Sequence, residues 1–296
     1  EYFVSAYIEP KDWNVTINVK KDFDPIKDKR QKAYARKKKI ENGLEVMLDD
    51  ISTHEFAHWE LPVDSGKGCP YSTYWHDKIV EAVKKALPRD KQAHVSYVAN
   101  AFEDLIINPR CREFNKSFSG QVLFWDWEGI RCKQQEQEAY TKFYEAFVKL
   151  NMHLFGDGVD TALLKRHFSN DKKVDEAVSN IIQDLNLPKN IKNTEILFNK
   201  QNWGLMAKRF AKNLSNLLDE LPTERLSAYS QGSDSENKNP SGNSLEEKMY
   251  SKEGKEEVSY GRYKSSEKTS PNFTSYEQLD SLYRKLARDI PVNVET

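Results

Sequence analysis

The stretch GLEVMLDDISTHEFAH, residues 43–58, decides the fold prediction because it joins a helical apolar pattern to a metal-ligand motif. Its apolar residues recur at spacings of three and four and predict a helix from about residue 42 to 60. These residues are Leu44, Met47 and Ile51. The same spacing continues to His54 and His58, so both imidazoles are expected on the buried face of the helix.

His54 and His58 enclose Glu55 in the HExxH pattern that is typical of zinc peptidases. Zinc binds imidazole nitrogens well, and residues four apart on a helix lie one turn apart, so both rings can reach one ion. Glu55 is expected to act as general base toward the water that the zinc activates. A catalytic zinc site uses three protein ligands, so a third residue must come from elsewhere in the chain.

Asp64 is the first candidate for the third ligand. It lies six residues beyond His58, which is the spacing of the metzincin pattern. That pattern has a glycine where Leu61 stands, because the chain must turn sharply after the helix and leucine rarely adopts the left-handed conformation. The metzincin arrangement is therefore disfavoured.

The second candidate is Glu103, in the stretch NAFEDLIIN at residues 100–108. This stretch belongs to a helix predicted over about 90–108, and apolar residues surround its two carboxylates on nearly every side. Such surroundings favour a buried role over a solvated one. We expect Glu103 to bind the zinc and Asp104 and Asn100 to orient the ligands, with Asp104 as the alternative ligand.

The two motifs together carry a resemblance. HExxH at 54–58 followed by Asn-x-x-Glu-Asp at 100–104 resembles the gluzincin-type metallopeptidases. The NAFED element is similar to the NxLED element of metallopeptidase-like proteins associated with von Willebrand factor A domains and MoxR-type AAA ATPases. The resemblance covers residues of about 40–160. It implies a zinc-dependent peptidase domain, then a linker and a von Willebrand-type domain, with an AAA ATPase or von Willebrand-type protein as partner.

The expected fold class is α+β and mainly helical: a zincin-like domain over 1–225, with a small N-terminal β-sheet and two metal-site helices. β-rich residues at 2–8 and 13–19 predict a hairpin or two strands. Further helices are expected over about 72–87, 133–155, 159–168, 173–186 and 200–221, and an aromatic loop over 117–130. Polar composition predicts a disordered linker at 226–275, and a short amphipathic helix with a tail follows at 276–296.

Composition excludes several classes of function. The 45 basic and 46 acidic residues nearly cancel, which argues against nucleic acid as a partner. No apolar run approaches the roughly 18 residues of a membrane helix, so no membrane contact is expected. The three cysteines are scattered and form neither a disulfide framework nor a thiolate zinc cluster, which indicates a reducing, cytoplasmic compartment.

These observations predict a soluble zinc metallopeptidase that hydrolyses peptide bonds of a peptide or protein substrate with Zn²⁺ as cofactor. The alternative is a catalytically silent zinc-binding adaptor for an AAA ATPase or von Willebrand-type partner. The residue that stabilises the oxyanion is left open among His76, His94, Tyr140, Tyr144 and His153. Trp125 and Trp127 either line a substrate cleft or belong to a loop over the core.

Overall fold

The computed structural model describes residues 4–9, 14–20, 22–58, 74–134, 140–189, 197, 199–218 and 292–295. Between residues 22 and 218, the described chain consists of helices and their connections. The prediction of a mainly helical protein is therefore confirmed. The predicted linker at 226–275 and the amphipathic helix after it lie outside the described residues.

The helices of the described chain are α1 (Lys29–Lys38), α2 (Gly43–His58), α3 (Tyr74–Ala86), α4 (Val95–Asn115), α5 (Ser119–Gln134), α6 (Lys142–Leu154), α7 (Gly158–Leu164), α8 (Lys172–Asp184) and α9 (Lys200–Leu214). Short 3-10 turns precede α4 and follow α7 and α9, at Arg89–His94, Lys165–His167 and Ser215–Leu217. None of the described helices is both long and apolar enough to cross a membrane.

Three short strands lie beside this helical body. Strand β1 (Val4–Glu9) pairs antiparallel with β2 (Asn14–Lys20), and β3 (Val292–Glu295) pairs parallel with β2 on its other side. The side chains of Ile17 and Val19 in β2 are buried in the core, and both β1 and β2 contact α2. The strands thus cover part of the helix that carries the HExxH motif.

Helix α4 lies at the centre of the described helices, because it packs against α2, α3, α6 and α9. Phe102 of α4 contacts Phe210 of α9 with ring centroids 5.5 Å apart, and Tyr97 contacts Phe143 of α6 at 4.8 Å. Helix α2 packs on both α4 and α5. The HExxH and NAFED segments therefore lie on neighbouring helices.

The prediction of an aromatic loop over 117–130 is wrong, since these residues form most of helix α5. Nearly every side chain from Phe118 to Arg131 is buried. A helix that is buried on most sides has no amphipathic stripe, and for this reason the sequence pattern did not reveal it. Trp125 and Trp127 belong to this packing: both are buried, and Trp127 Nε1 donates to the Pro25 carbonyl at 3.0 Å.

Two predicted helix ends are also wrong. Helix α4 does not end before Pro109 but continues through it to Asn115, because the turns beyond the proline pack against α2 through Cys111 and Asn115. The helix predicted over 133–155 begins only at Lys142, where the Thr141 hydroxyl accepts a hydrogen bond from the Tyr144 N–H at 3.2 Å and caps it.

Helices α2 and α5 approach very closely at Gly120. A Cβ atom on Gly120 would lie 2.1 Å from the carbonyl oxygen of Val46, so no larger residue fits without moving one helix. Helices α2 and α5 therefore pack backbone against backbone at this point.

A buried polar cluster outside the metal motifs surrounds Asp126 of α5. Its carboxylate lies 2.9 Å from Gln31 Nε2 and 2.9 Å from His167 Nε2, and it pairs with the guanidinium of Arg166. Arg166 also pairs with Asp28, the residue that caps α1. The cluster ties α1 and the 3-10 turn after α7 to α5, so its role is to hold the fold together.

Candidate metal centre

A seam of polar side chains runs between α2 and α4. Asn115 Nδ2 donates to Asp50 Oδ1 at 2.8 Å and to Thr53 Oγ1 at 3.1 Å, and the buried Cys111 thiol lies 3.8 Å from the Thr53 carbonyl. Later residues of α2 meet earlier residues of α4, so the two helices run antiparallel. His54 is the next residue of this seam.

Both ring nitrogens of His54 face α4. Nδ1 lies 2.7 Å from Oδ1 of Asn108, and Nε2 lies 3.5 Å from Oδ1 of Asp104. The side chains of His54 and Asp104 are only 13% and 16% exposed, so the pair lies mostly out of solvent. Burial lowers the pKa of His54, but the neighbouring Asp104 carboxylate raises it more strongly, together with Glu55 and Asn108, and the resulting pKa is about 9.

Asn108 continues into a hydrogen-bonded row that reaches α6. Its Nδ2 donates to Oδ1 of Asn151 at 2.9 Å, and Nδ2 of Asn151 donates to the Phe147 carbonyl at 2.9 Å. Asn108 and Asn151 are both fully buried. The row connects the first histidine of the motif to the backbone of a third helix.

Glu55 and His58 lie on the last turns of α2. Glu55 is half-buried beside His54, and its charge helps to raise the pKa of His54. His58 is the last residue of α2, and its side chain lies outside the described part of the structure. Because α2 and α4 are antiparallel, the position of His58 lies toward the first turns of α4, where Asn100 precedes Asp104 by one turn.

The two carboxylates of NAFED occupy different sides of α4. Asp104, predicted to orient a ligand, is the one that faces His54 Nε2. Glu103 is fully buried and lies about 100° around the helix from Asp104. The ligand role of Glu103 remains a prediction. Within the described side chains, which do not include His58, no three His, Cys, Asp or Glu residues come together as a metal site.

The other predicted candidates fall into two groups. Asp64 and the side chain of His76 lie outside the described residues. Tyr140 donates its hydroxyl to the Trp125 carbonyl at 2.7 Å, and His153 Nε2 lies 3.1 Å from the Leu187 carbonyl. These hydrogen bonds hold both side chains within the fold. His94 and Tyr144 are also buried. The residue that would stabilise an oxyanion stays open.

Asn108 and Asn151 are the site residues that sequence reasoning missed. Asn108 follows Asp104 by four residues and so shares its face of α4, a spacing that could have identified it. Asn151 stands 43 residues beyond Asn108 and has no comparable local signal. Comparison of the chain with protein-family models, with curated proteins and with solved structures gives no match.

Proposed function

We propose that the protein is a zinc-dependent peptidase whose metal is held between α2 and α4. His54 and His58 would bind the zinc from α2, and a carboxylate of α4 would bind it from the opposite side. Two observations support the proposal: the HExxH motif lies on a helix that packs on the NAFED helix, and His54 Nε2 lies 3.5 Å from Asp104 Oδ1. The proposal rests mainly on this distance between His54 and Asp104.

The separation of these two atoms fits two ligands of one zinc ion. Zn–N and Zn–O bonds of about 2.0–2.1 Å in a tetrahedral arrangement separate neighbouring ligand atoms by about 3.3 Å. The 3.5 Å between His54 Nε2 and Asp104 Oδ1 is close to this value. Nitrogen and carboxylate oxygen are also both ligand types that zinc accepts.

The same geometry favours Asp104 over Glu103 as the ligand from α4. Asp104 faces Nε2 of His54, the nitrogen proposed to bind the metal, whereas Glu103 lies on another side of the helix. Glu103 stays the alternative ligand. The position of the zinc also depends on His58, the second proposed ligand of α2, whose side chain lies outside the described residues. Asn100 is expected to orient a ligand from the turn before Asp104.

The chemistry assigned to this site is hydrolysis of a peptide bond. A bound zinc ion would lower the pKa of a water molecule and polarise the carbonyl group of the scissile bond. Glu55, half-buried next to His54, would accept the proton of the attacking water and deliver it to the leaving amine. His54, fixed by Asn108, would keep the metal in place during this transfer.

The proposal includes a zincin-like arrangement, in which the motif helix lies beside a small sheet. The contacts of β1 and β2 with α2 support it. Among the described strands, β1 lies at the edge of the sheet, where an extended peptide could pair with its backbone.

The decisive experiment compares the wild-type chain with Glu55→Gln and His54→Ala. Zinc content of the purified proteins is measured by elemental analysis, and hydrolysis is followed on an unfolded test protein. We expect zinc in the wild type and in Glu55→Gln, cleavage by the wild type alone, and loss of both zinc and cleavage in His54→Ala. A wild type that binds zinc and cleaves nothing would instead favour the adaptor for an AAA ATPase or von Willebrand-type partner.

A further inference from the structure

The hydrogen-bonded row from His54 to Phe147 has only one consistent direction. A backbone carbonyl can only accept, so the atom of Asn151 that lies 2.9 Å from the Phe147 oxygen must be the amide nitrogen. The Asn151 oxygen therefore faces Asn108 and must accept from its amide nitrogen, at 2.9 Å. This leaves the oxygen of Asn108 facing His54.

The imidazole of His54 lies at the oxygen end of this row. An amide oxygen can only accept, so Nδ1 of His54, 2.7 Å from Asn108 Oδ1, must carry a hydrogen and donate. A neutral imidazole has one N–H, and so Nε2 carries the lone pair that can bind a metal. Nε2 is also the nitrogen that faces Asp104.

We infer that Asn108 and Asn151 are positioning residues that hold His54 in the Nδ1–H tautomer and direct its Nε2 toward the metal position. The inference about the tautomer stands on the hydrogen bonds alone, and its consequence for metal binding rests on the proposed function. The Phe147 carbonyl of α6 sets the direction of the hydrogen bonds in the row. Helix α6 is itself held by packing on α4 and α8.

Burial fixes the donor-to-acceptor direction of the hydrogen bonds in this row. Asn108 and Asn151 are both 0% exposed, so water does not compete for their amide groups. Reversing one amide would leave two oxygens or two nitrogens facing each other at one end of the row. A buried polar group left in that state is strongly disfavoured, and therefore the whole row keeps one orientation.

An asparagine at position 108 does what an ionised aspartate could not. An amide accepts from His54 on one side and donates to Asn151 on the other. A carboxylate would accept from His54 but would turn an oxygen toward the oxygen of Asn151. The neutral amide also adds no second negative charge beside Asp104.

The test uses the full chain, labelled with nitrogen isotope in its histidines and studied by NMR through long-range couplings that distinguish Nδ1–H from Nε2–H. The signal of His54 is assigned from its absence in His54→Gln. In the metal-free chain, at a pH above the His54 pKa of about 9, where the ring is neutral, we expect the Nδ1–H form in the wild type. Zinc affinity, measured by competition with a chelating dye, is the second readout.

The variants separate positioning from a merely structural effect. Asn151→Leu does not touch His54 but removes the acceptor for Asn108, so we expect mixed tautomers and zinc binding weaker by about 10–100-fold. Asn108→Leu is expected to lose at least as much. Asn151→Asp should restore the wild-type tautomer, because its buried carboxyl, kept protonated by burial, can donate to Phe147 and accept from Asn108. Asn213→Leu on α9 is the matched control and should change neither readout.

Each result decides one question. An Nε2–H form in the wild type, or a tautomer unchanged in both leucine variants, would overturn the inference. If Asn108→Leu does not fold, Asn151→Leu and Asn151→Asp still test it. If zinc does not bind through His54, then the proposed function fails while the tautomer measurement still decides the direction of the row.

Discussion

The carboxylate of Asp50 on α2 caps the first turn of α5: its Oδ2 accepts a hydrogen bond from the Gly120 N–H at 2.6 Å and a second from the Gln121 N–H at 3.3 Å. The first N–H groups of a helix have no partner within the helix, and here a side chain from a neighbouring helix supplies one. The other oxygen of Asp50 accepts from Asn115 of α4. One carboxylate thus joins α2, α4 and α5 one turn before His54.

Removal of this carboxylate is expected to destabilise the fold. Asp50→Ala leaves the first N–H groups of α5 and the amide of Asn115 without their acceptor, which should lower the free energy of unfolding by about 1–3 kcal/mol. Urea denaturation followed by circular dichroism measures it. Asp49→Ala, at an exposed neighbouring position, is the control and should change stability by less than about 0.5 kcal/mol. Equal effects of the two variants would contradict the capping role.

The same carboxylate predicts a dependence of stability on pH. Burial raises the pKa of Asp50 to about 7, against 3.8 for an unperturbed aspartate, in spite of its hydrogen bonds to Asn115 and Gly120. The folded protein therefore holds this proton more tightly than the unfolded chain does. Its contribution to stability is complete below about pH 4 and is lost as the pH rises through about 7.

The slope of this loss can be measured. Between about pH 4 and 7, Asp50 should lower the free energy of unfolding by up to about 1.4 kcal/mol per pH unit. Asn at position 50 does not titrate, so Asp50→Asn should remove this part of the slope when urea denaturation is repeated across the range. An identical pH profile for the variant and the wild type would show that Asp50 is ionised in the folded protein throughout.

The choice between Asp104 and Glu103 can be decided by metal binding. Loss of a true ligand costs more affinity than loss of an orienting residue, for which about 10–100-fold is typical, so Asp104→Ala should weaken zinc binding by more than about 100-fold. Glu103→Ala should weaken it less. Glu113→Ala, an exposed carboxylate on the same helix, is the control and should leave the dissociation constant unchanged. The opposite order of the first two variants would return the ligand role to Glu103.

The close contact of α2 and α5 predicts a strong effect of one methyl group. In Gly120→Ala the new Cβ would meet the Val46 carbonyl oxygen at 2.1 Å, and since this oxygen is backbone, one helix must move. We expect a loss of about 1–3 kcal/mol in the free energy of unfolding. Zinc affinity should fall as well, because α2 carries His54.

Gly204 offers the matched control for this substitution. It lies inside α9, and a Cβ there would meet no atom within 4 Å. Alanine is a better helix former than glycine, so Gly204→Ala should stabilise the protein by about 0.5–1 kcal/mol. Thermal unfolding of the two variants should therefore shift in opposite directions. A shift in the same direction would mean that packing at Gly120 is looser than the structure has it.

Local apolar spacing was enough to locate helices α2 and α8. Helix α2 was expected over about 42–60 and runs over Gly43–His58, and α8 was expected over 173–186 and runs over Lys172–Asp184. The local sequence pattern failed for α5, whose side chains are buried on most sides. It also failed at Pro109, where packing on α2 outweighs the local preference of proline to end a helix.

For the site, the spacing of the HExxH motif and the presence of two adjacent carboxylates on another predicted helix can be read from the sequence. It could not tell which of the two faces His54, because Glu103 and Asp104 differ by only about 100° around the same helix. Only the packing of α4 against α2 decided that Asp104 points to Nε2. The partners on the other ring nitrogen, Asn108 and Asn151, were likewise decided by tertiary structure, because their hydrogen bond joins residues 43 positions apart.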